Sequence, residues 1–418
     1  MTMDPTSVLI LVTGIFGFYM AWNIGANDVA NAMGTSVGSK ALKYWQAIIV
    51  AAIFEFLGCV LVGGAVTSTI QSKILVVDFF QGKEIDLALG MMAALLASGL
   101  WLNFATWKGW PVSTTHAIIG ALAGFGIVFG GWEIIQGKEI FRIVMSWIIS
   151  PIAGGIMAWL VFLLILRGII RRRDPQAAMV QIVPILVFMY FFVVVTAVLY
   201  KGLTIIHFNP PPLQAYGIAT ATGLVGAVIS IFLVKRVVKK RHGHSRRRIE
   251  RVFSTLQVMT ACYMAFAHGA NDVGNAIAPL SAVFIILRQG IGSLGQHVSP
   301  LVLIIGGVGI VAGLATFGYK VMATIGGSLT GVVPSRGFAA EFGAATVVLV
   351  CSKMGLPMST SHTIVGAVVA IGLMRGLQSL NVKMCRDVFM GWIITVPASA
   401  IIAAILYWLM KWIWLMFS

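Results

Sequence analysis

Twelve apolar stretches occupy most of this 418-residue chain, near residues 7–24, 45–70, 87–105, 114–131, 143–166, 179–200, 213–234, 252–268, 298–322, 338–352, 361–376 and 389–415. A bilayer core of about 30 Å takes roughly 20 apolar residues per helix, and lipid has no hydrogen bonds to give a bare backbone. The pattern therefore predicts an all-α membrane protein with about twelve transmembrane helices. Only 10% of the residues are charged, against roughly 25% in an ordinary soluble domain. The first apolar run, Ser7 to Trp22, has neither a basic leader nor a small-x-small cleavage site, so it reads as a retained span.

Lys and Arg number 29 against 13 Asp and Glu, a formal net charge of +16. In a soluble protein that surplus would point to nucleic acid. Here it gathers in loops: Arg167, Arg171, Arg172 and Arg173 form one cluster, and nine of the residues from Lys235 to Arg251 are basic. Such loops mark the cytoplasmic face, with a lipid contact as the lesser reading and no nucleic-acid partner expected. The two clusters flank two spans and so lie on one side of the membrane. Placing both inside puts the N-terminus outside and brings Lys40, Lys43, Arg336, Arg375, Lys383 and Arg386 inside as well. Cys59, Cys262, Cys351 and Cys385 stand singly, without metal or disulfide spacing.

The chain repeats itself. Tyr19-Met20-Ala21 leads into Gly25-Ala26-Asn27-Asp28-Val29-Ala30-Asn31-Ala32, and Tyr263-Met264-Ala265 leads into Gly269-Ala270-Asn271-Asp272-Val273-Gly274-Asn275-Ala276, at an offset of 244. Gly109-Trp110-Pro111-Val112-Ser113-Thr114-Thr115-His116 matches Gly355-Leu356-Pro357-Met358-Ser359-Thr360-Ser361-His362 at 246, and the Trp147 segment matches that of Trp392 at 245. Seven predicted helices separate equivalent points, an odd number, so the copies cross the membrane in opposite directions. The expected organisation is a first inverted repeat over residues 1–168, a two-helix linker with a basic cytoplasmic loop over 169–250, and a second inverted repeat over 251–418. Many secondary transporters are built this way, with the site at the repeat interface. His242 and His244 in the linker read as part of a solvated loop, with metal binding a remote alternative.

An aspartate at mid-membrane costs about 2.5 to 3.5 kcal/mol on insertion scales, so it persists where it faces a partner or a water-filled cavity. Asp28 and Asp272 should face inward. Gly, Asn and Asp are poor helix-interior residues, which predicts a broken helix at each Gly-Ala-Asn-Asp. In Pro-x-Ser-Thr-x-His, the proline suits a first helical turn, and the hydroxyls after it sit among free N–H groups at the positive end of the dipole. Ser113, Thr114 and Thr115 would face Ser359, Thr360 and Ser361 around an oxyanion; ordinary N-capping is the competing reading. No Lys or Arg lies between Tyr19 and Ser39, between Tyr263 and Leu287, between Gly109 and Gly137, or between Gly355 and Met374, and a dry polyanion without countercharge would cost on the order of tens of kcal/mol. A cation should therefore enter with the anion, held by hard oxygens of Asp28, Asp272, Asn31 and Asn275 if it is Na⁺, or as a proton on an aspartate if it is H⁺. Glu55 and Glu341 also lie in apolar spans without being repeat mates; each reads as a cation or coupling group or else as a buried structural hydrogen bond. For His116 and His362, helix packing competes with a proton relay.

The doubled Gly-Ala-Asn-Asp-Val-x-Asn-Ala with the doubled Pro-x-Ser-Thr-x-His resembles the inorganic phosphate transporter (PiT) family, from about Tyr19 to Trp392. The resemblance implies an ion-coupled phosphate importer of the plasma membrane, driven by Na⁺ in many members and by H⁺ with metal-phosphate in some bacterial ones. It places Asp28, Asp272, Asn27, Asn31, Asn271 and Asn275 in the substrate and cation core, and Ser113, Ser359, Glu55 and Glu341 match positions associated with transport. Homodimerisation is a further implication. The central loop here is short where animal members carry a long insert, and some bacterial relatives with the same motifs move sulfate.

The expectation is thus a secondary active transporter working by alternating access. Phosphate is the anion, with Asn27 and Asn271 joining the two hydroxyl clusters around it. Na⁺ is the co-transported ion, at Asp28 and Asp272 with Asn31, Asn275, Glu55 and Glu341, and no resident cofactor is expected. H⁺ coupling and a sulfate permease are the alternatives. A membrane-embedded enzyme would need a nucleophile elbow, metal motif or cofactor loop that is not evident, and a passive anion channel would not need carboxylates at its anion site.

Overall fold

A backbone surrounded by hydrocarbon must pair its own N–H and C=O groups, and this chain does so with helices. The computed structural model describes residues 4–199, 208–239, 245–295, 298–319, 321, 333–374, 376 and 382–417. Among these residues run thirteen α-helices: α1 (Pro5–Gly38), α2 (Tyr44–Val62), α3 (Gly64–Ser72), α4 (Glu84–Trp107), α5 (Thr114–Gly130), α6 (Gly137–Ile165), α7 (Pro175–Leu199), α8 (Pro212–Lys239), α9 (Ser245–Gln289), α10 (Pro300–Thr316), α11 (Pro334–Lys353), α12 (Thr360–Leu373) and α13 (Val382–Phe417). Lys240, Arg241, His242, His244 and Arg375 lie outside the described residues, as does the side chain of Lys383.

Helix occupies each of the twelve expected stretches. Eight helices are long and apolar enough to cross a membrane, and α5, α10 and α12 are apolar but shorter. Two of the short ones have a local cause: α5 and α12 start deep in the bundle, after Ser113 and Ser359, which are each 1% exposed. Gly109 and Gly355, repeat mates with φ of 71° and 74°, turn the chain out of α4 and α11 toward those starts, in a left-handed conformation that glycine adopts without penalty.

The expected break at Gly-Ala-Asn-Asp is absent. Helix α1 runs unbroken through residues 25–32 and α9 through 269–276. The asparagines find partners on other helices instead of competing for their own backbone: Asn27 Nδ2 donates to Thr106 Oγ1 and the Trp110 carbonyl, and Asn271 Nδ2 to the Met358 carbonyl. The glycines serve close packing. A Cβ on Gly25 would stand 1.9 Å from the Ile310 carbonyl oxygen, and one on Gly269 would stand 2.1 Å from that of Glu55. The interruption falls instead in the Pro-x-Ser-Thr segments, between α4 and α5 and between α11 and α12.

The contacts come in mate pairs across the halves. Helix α1 packs on α4, α9 and α10, while α9 packs on α11, α1 and α2; α5 lies against α13 and α12 against α6. Gly313 and Gly58, 255 residues apart, bring a would-be Cβ to 1.8 Å from the Trp22 oxygen and 2.0 Å from the Phe266 oxygen, and are paired by these contacts, since Trp22 and Phe266 are mates at the motif offset. Gly120 and Gly366 meet the Val396 and Pro151 carbonyls in the same paired way. Helix α9 is the centre: the core of its span is 83% buried, against 22% for α8, which pairs with α7 at the side of the bundle.

Replacing Gly25 or Gly269 by alanine forces backbone against backbone, an overpacking that costs about 1–3 kcal/mol or more. Each variant is expected to unfold in detergent several degrees below the parent, while Gly14→Ala, with nothing within 4 Å of its Cβ, should not shift. Equal melting of all three would mean that the tight crossings do not carry stability.

Candidate substrate and cation site

Helices α1 and α9 bring the two Asn-Asp segments side by side, and the starts of α5 and α12 point at them. Asn27, Asp28, Asn271, Asp272 and Asn275 are all 0% exposed, and Asn31 is 1%. A helix start leaves four N–H groups without intrahelical partners. Ser113 Oγ accepts one, from the His116 amide, and Ser359 Oγ accepts the mate bond from His362, each at 3.3 Å. These two serines are N-caps. The residues after them carry hydroxyls inward at the positive end of each dipole.

Asp272 is the hub. Its Oδ1 accepts from Asn271 Nδ2 at 3.0 Å and Asn275 Nδ2 at 3.1 Å, with the Thr114 and Thr115 hydroxyls at 3.4 and 3.5 Å. Its Oδ2 accepts from Thr360 Oγ1 at 3.0 Å. Hydroxyls of both helix starts therefore converge on one carboxylate. Asp28 Oδ1 accepts from Asn31 Nδ2 at 2.8 Å, and the same amide donates to Ser361 Oγ at 2.8 Å. The mate amide of Asn275 donates to Thr115 Oγ1 at 3.2 Å, Ser361's counterpart. Thr115 and Ser361 in turn donate to the mate carbonyls of Met358 and Val112.

His268 joins the acids. Its Nε2 lies 3.0 Å from Asp272 Oδ2 and 3.7 Å from Asp28 Oδ2, and its Nδ1 lies 3.2 Å from Glu55 Oε1, with all four side chains wholly buried. Donor atoms of Asp28, His268 and Asp272 sit within 4.8 Å of one another. His268 is not among the residues expected from the sequence, since an imidazole, unlike Lys or Arg, is not a fixed positive charge. The available signal was asymmetry: at the motif offset its counterpart is Ile24, so an imidazole stands where the other half has an alkyl chain.

The two glutamates part company. Glu55 enters the acid cluster through His268. Glu341 lies in a separate nest: Oε1 accepts from Thr35, Ser36 and Gln257 at 2.5, 2.6 and 3.2 Å, and Oε2 from Thr260 at 2.6 Å. Thr35 is seven residues beyond Asp28, roughly 10 Å along α1. His116 and His362 pack: their Nδ1 atoms face the Trp392 and Trp147 carbonyls at 3.3 and 3.1 Å, and their rings lie on Trp147 and Trp392.

Several buried oxygens in this centre have no hydrogen-bond donor among the described residues: Asn27 Oδ1, Asn31 Oδ1, Asn275 Oδ1 and Asp28 Oδ2. A buried acceptor left unmet costs about 1–3 kcal/mol, and four together form an oxygen-rich set of the kind that hard cations take up. The chemistry available is thus anion capture by hydroxyls and helix N-termini, beside cation capture by carboxylate and amide oxygens.

The profile of the phosphate transporter family matches residues 24–403. The chain is 42% identical to the inorganic phosphate transporter 2-1, chloroplastic, of Arabidopsis thaliana, over 97% of this chain and 72% of that protein. It is similar in fold to a solved structure described as the sodium-dependent phosphate transporter, with TM-score 0.91 and 36% identity, covering 97% of this chain and 100% of that one. With both motifs inside the matched residues, this chain belongs to the phosphate transporter family.

Proposed function

We propose that this protein carries inorganic phosphate across its membrane together with Na⁺, by alternating access. The observation that carries the reading is the convergence of two hydroxyl-bearing helix starts on Asp272, beside Asp28, with no Lys or Arg bonded to either acid among the described residues. Phosphate would be held by the hydroxyls of Thr114, Thr115, Thr360 and Ser361 and by the N–H groups of the first turns capped by Ser113 and Ser359. Asn27 and Asn271 would hold the turns that carry these groups. The cation would sit on Asp28, Asp272, Asn31 and Asn275, with Glu55 reaching the cluster through His268. Glu341, fully supplied with donors, would tie α1, α9 and α11 together.

The ligand chemistry favours Na⁺ over H⁺. A proton needs one carboxylate oxygen, whereas unpaired amide oxygens beside the aspartates suit an ion with several oxygen ligands. The fold neighbour described as sodium-dependent agrees with this. His268, wedged among three carboxylates, is the observation that favours the proton-coupled alternative. Its imidazole also lessens the electrostatic demand on the guest cation without removing it, since three acids face one ring.

Phosphate is favoured over sulfate by the same hub. Near neutral pH phosphate keeps at least one O–H, and Asp272 at the hydroxyl cluster is an acceptor for it. Sulfate has no proton to give, so its oxygens would face a carboxylate directly, an unfavourable desolvated contact. The mate-paired contacts support two inverted repeats over 1–168 and 251–418 around the 169–250 linker, with the cargo between them. The basic loops support a cytoplasmic placement for that side of a plasma-membrane protein.

In proteoliposomes, an inward Na⁺ gradient is expected to drive labelled phosphate above its external concentration; simple equilibration would mean a channel and chemical conversion an enzyme. Asp28→Asn and Asp272→Asn are each expected to lower uptake at least tenfold with normal insertion, and full activity in either removes that aspartate from the site. Replacing the Na⁺ gradient by a pH gradient should leave accumulation near background, and accumulation driven by the pH gradient alone would establish the proton-coupled alternative. A tenfold excess of sulfate should leave most phosphate uptake in place; complete block would mean that Asp272 does not select for a protonated anion.

A further inference from the structure

Away from the transport site, at the basic end of the bundle, a cavity of about 220 Å³ opens between the end of α6, the start of α9 and the start of α11. Arg171, Arg246 and Arg336 line it, with Glu250 as the one acid. Glu250 accepts from the Ser335 amide and hydroxyl, both at 2.9 Å, and so caps the start of α11, which leaves Arg171 and Arg246 together outweighing its single negative charge. The remaining wall is apolar, including Phe162, Leu166, Ile170 and Met374. Arg171 and Arg246 over a greasy floor are matched to a ligand with an anionic head and a hydrocarbon body.

The floor does not stop at the cavity. Met374 also borders an apolar groove of about 560 Å³ between α6 and α12, lined by Ile152, Ile156 and Trp159. Trp159 lies on α6, and Leu166 and Ile170 lie in the π-helical turn that continues it (Leu166–Ile170), so the helix leads without a break from groove to cavity. Ile152, Ile156 and Trp159 are 58%, 54% and 41% exposed. From Arg171 to Trp159 is roughly 18 Å along the helix, comparable with the roughly 15 Å depth of one leaflet of hydrocarbon.

We propose that this cavity and groove form a binding site for one anionic glycerophospholipid, its phosphate on Arg171 and Arg246 and an acyl chain along the α6–α12 groove. Basic pockets between membrane helices hold lipid head groups in this way. A free phosphate would use only the arginines and leave the groove without purpose; a second copy of this chain would cover the groove but bring no defined anion to the cavity. The site is separate from the aspartate cluster and independent of which cation drives transport.

Native mass spectrometry of the detergent-purified full chain, with phosphatidylglycerol or phosphatidylcholine added at equal concentration, tests this. The expected result is at least tenfold more bound phosphatidylglycerol, reduced to the phosphatidylcholine level in the Arg171→Gln/Arg246→Gln double variant and lowered severalfold by Ala370→Trp, which fills the groove. Glycerol phosphate and inorganic phosphate in excess should not displace the lipid. Equal binding of the two lipids, an unchanged double variant, displacement by either free anion, or a dimer that excludes lipid and is split by Ala370→Trp would each overturn the proposal. Should the variants fail to fold, the two-lipid comparison and the displacement on the parent chain still decide it.

Discussion

Wholly buried carboxylates that no lysine or arginine answers among the described residues are the constraint from which the rest of this structure follows. Asp28, Asp272 and Glu55 share one pocket with a single imidazole. Burying an unpaired charge costs far more than any one packing contact returns. Short polar side chains around them are recruited: amides of Asn31, Asn271 and Asn275 and hydroxyls of Thr114, Thr115 and Thr360 donate toward the acids. Helix starts that would be unfavourable deep in a bundle become useful here, because their N–H groups and dipoles point at negative charge.

Two packing devices place those groups. Glycines at the α1–α10 and α9–α2 crossings let backbones touch, so the Asn-Asp segments stay helical and present their side chains in a fixed order. Positive-φ glycines at 109 and 355 end α4 and α11 where their successors must begin inside the protein. The result is a rigid cage with one local asymmetry. His268 and Glu55 have Ile24 and, in the matching contact on α10, Ile310 as counterparts, so the acid-rich side of the cage belongs to one half.

Much of this was legible from residues alone. Helical class, the twelve helical stretches and the pairing of the two motifs follow from apolar run lengths and from the repeated octapeptide, because lipid and symmetry permit few alternatives. The helix break was misplaced because propensity describes an isolated helix, whereas Asn27 and Asn271 spend their amides on Thr106, Trp110 and Met358, contacts that no local window contains. For Ser113 and Ser359 the sequence leaves anion ligand and N-cap both open, since the same hydroxyl chemistry fits both uses, and the bonds from the His116 and His362 amides show the capping use. The separation of Glu55 from Glu341 was invisible for a simpler reason: which helix faces each acid is a property of the fold.

The central claim is that cation and anion complete one another's site, so each must raise the other's affinity by the same factor. Equilibrium binding of phosphate to the purified protein, titrated at a series of Na⁺ concentrations with choline as replacement, tests it most directly. The account predicts a phosphate Kd that falls at least tenfold as Na⁺ rises, and an equal gain in Na⁺ affinity on adding phosphate. A phosphate Kd indifferent to Na⁺ and to protons alike would contradict it.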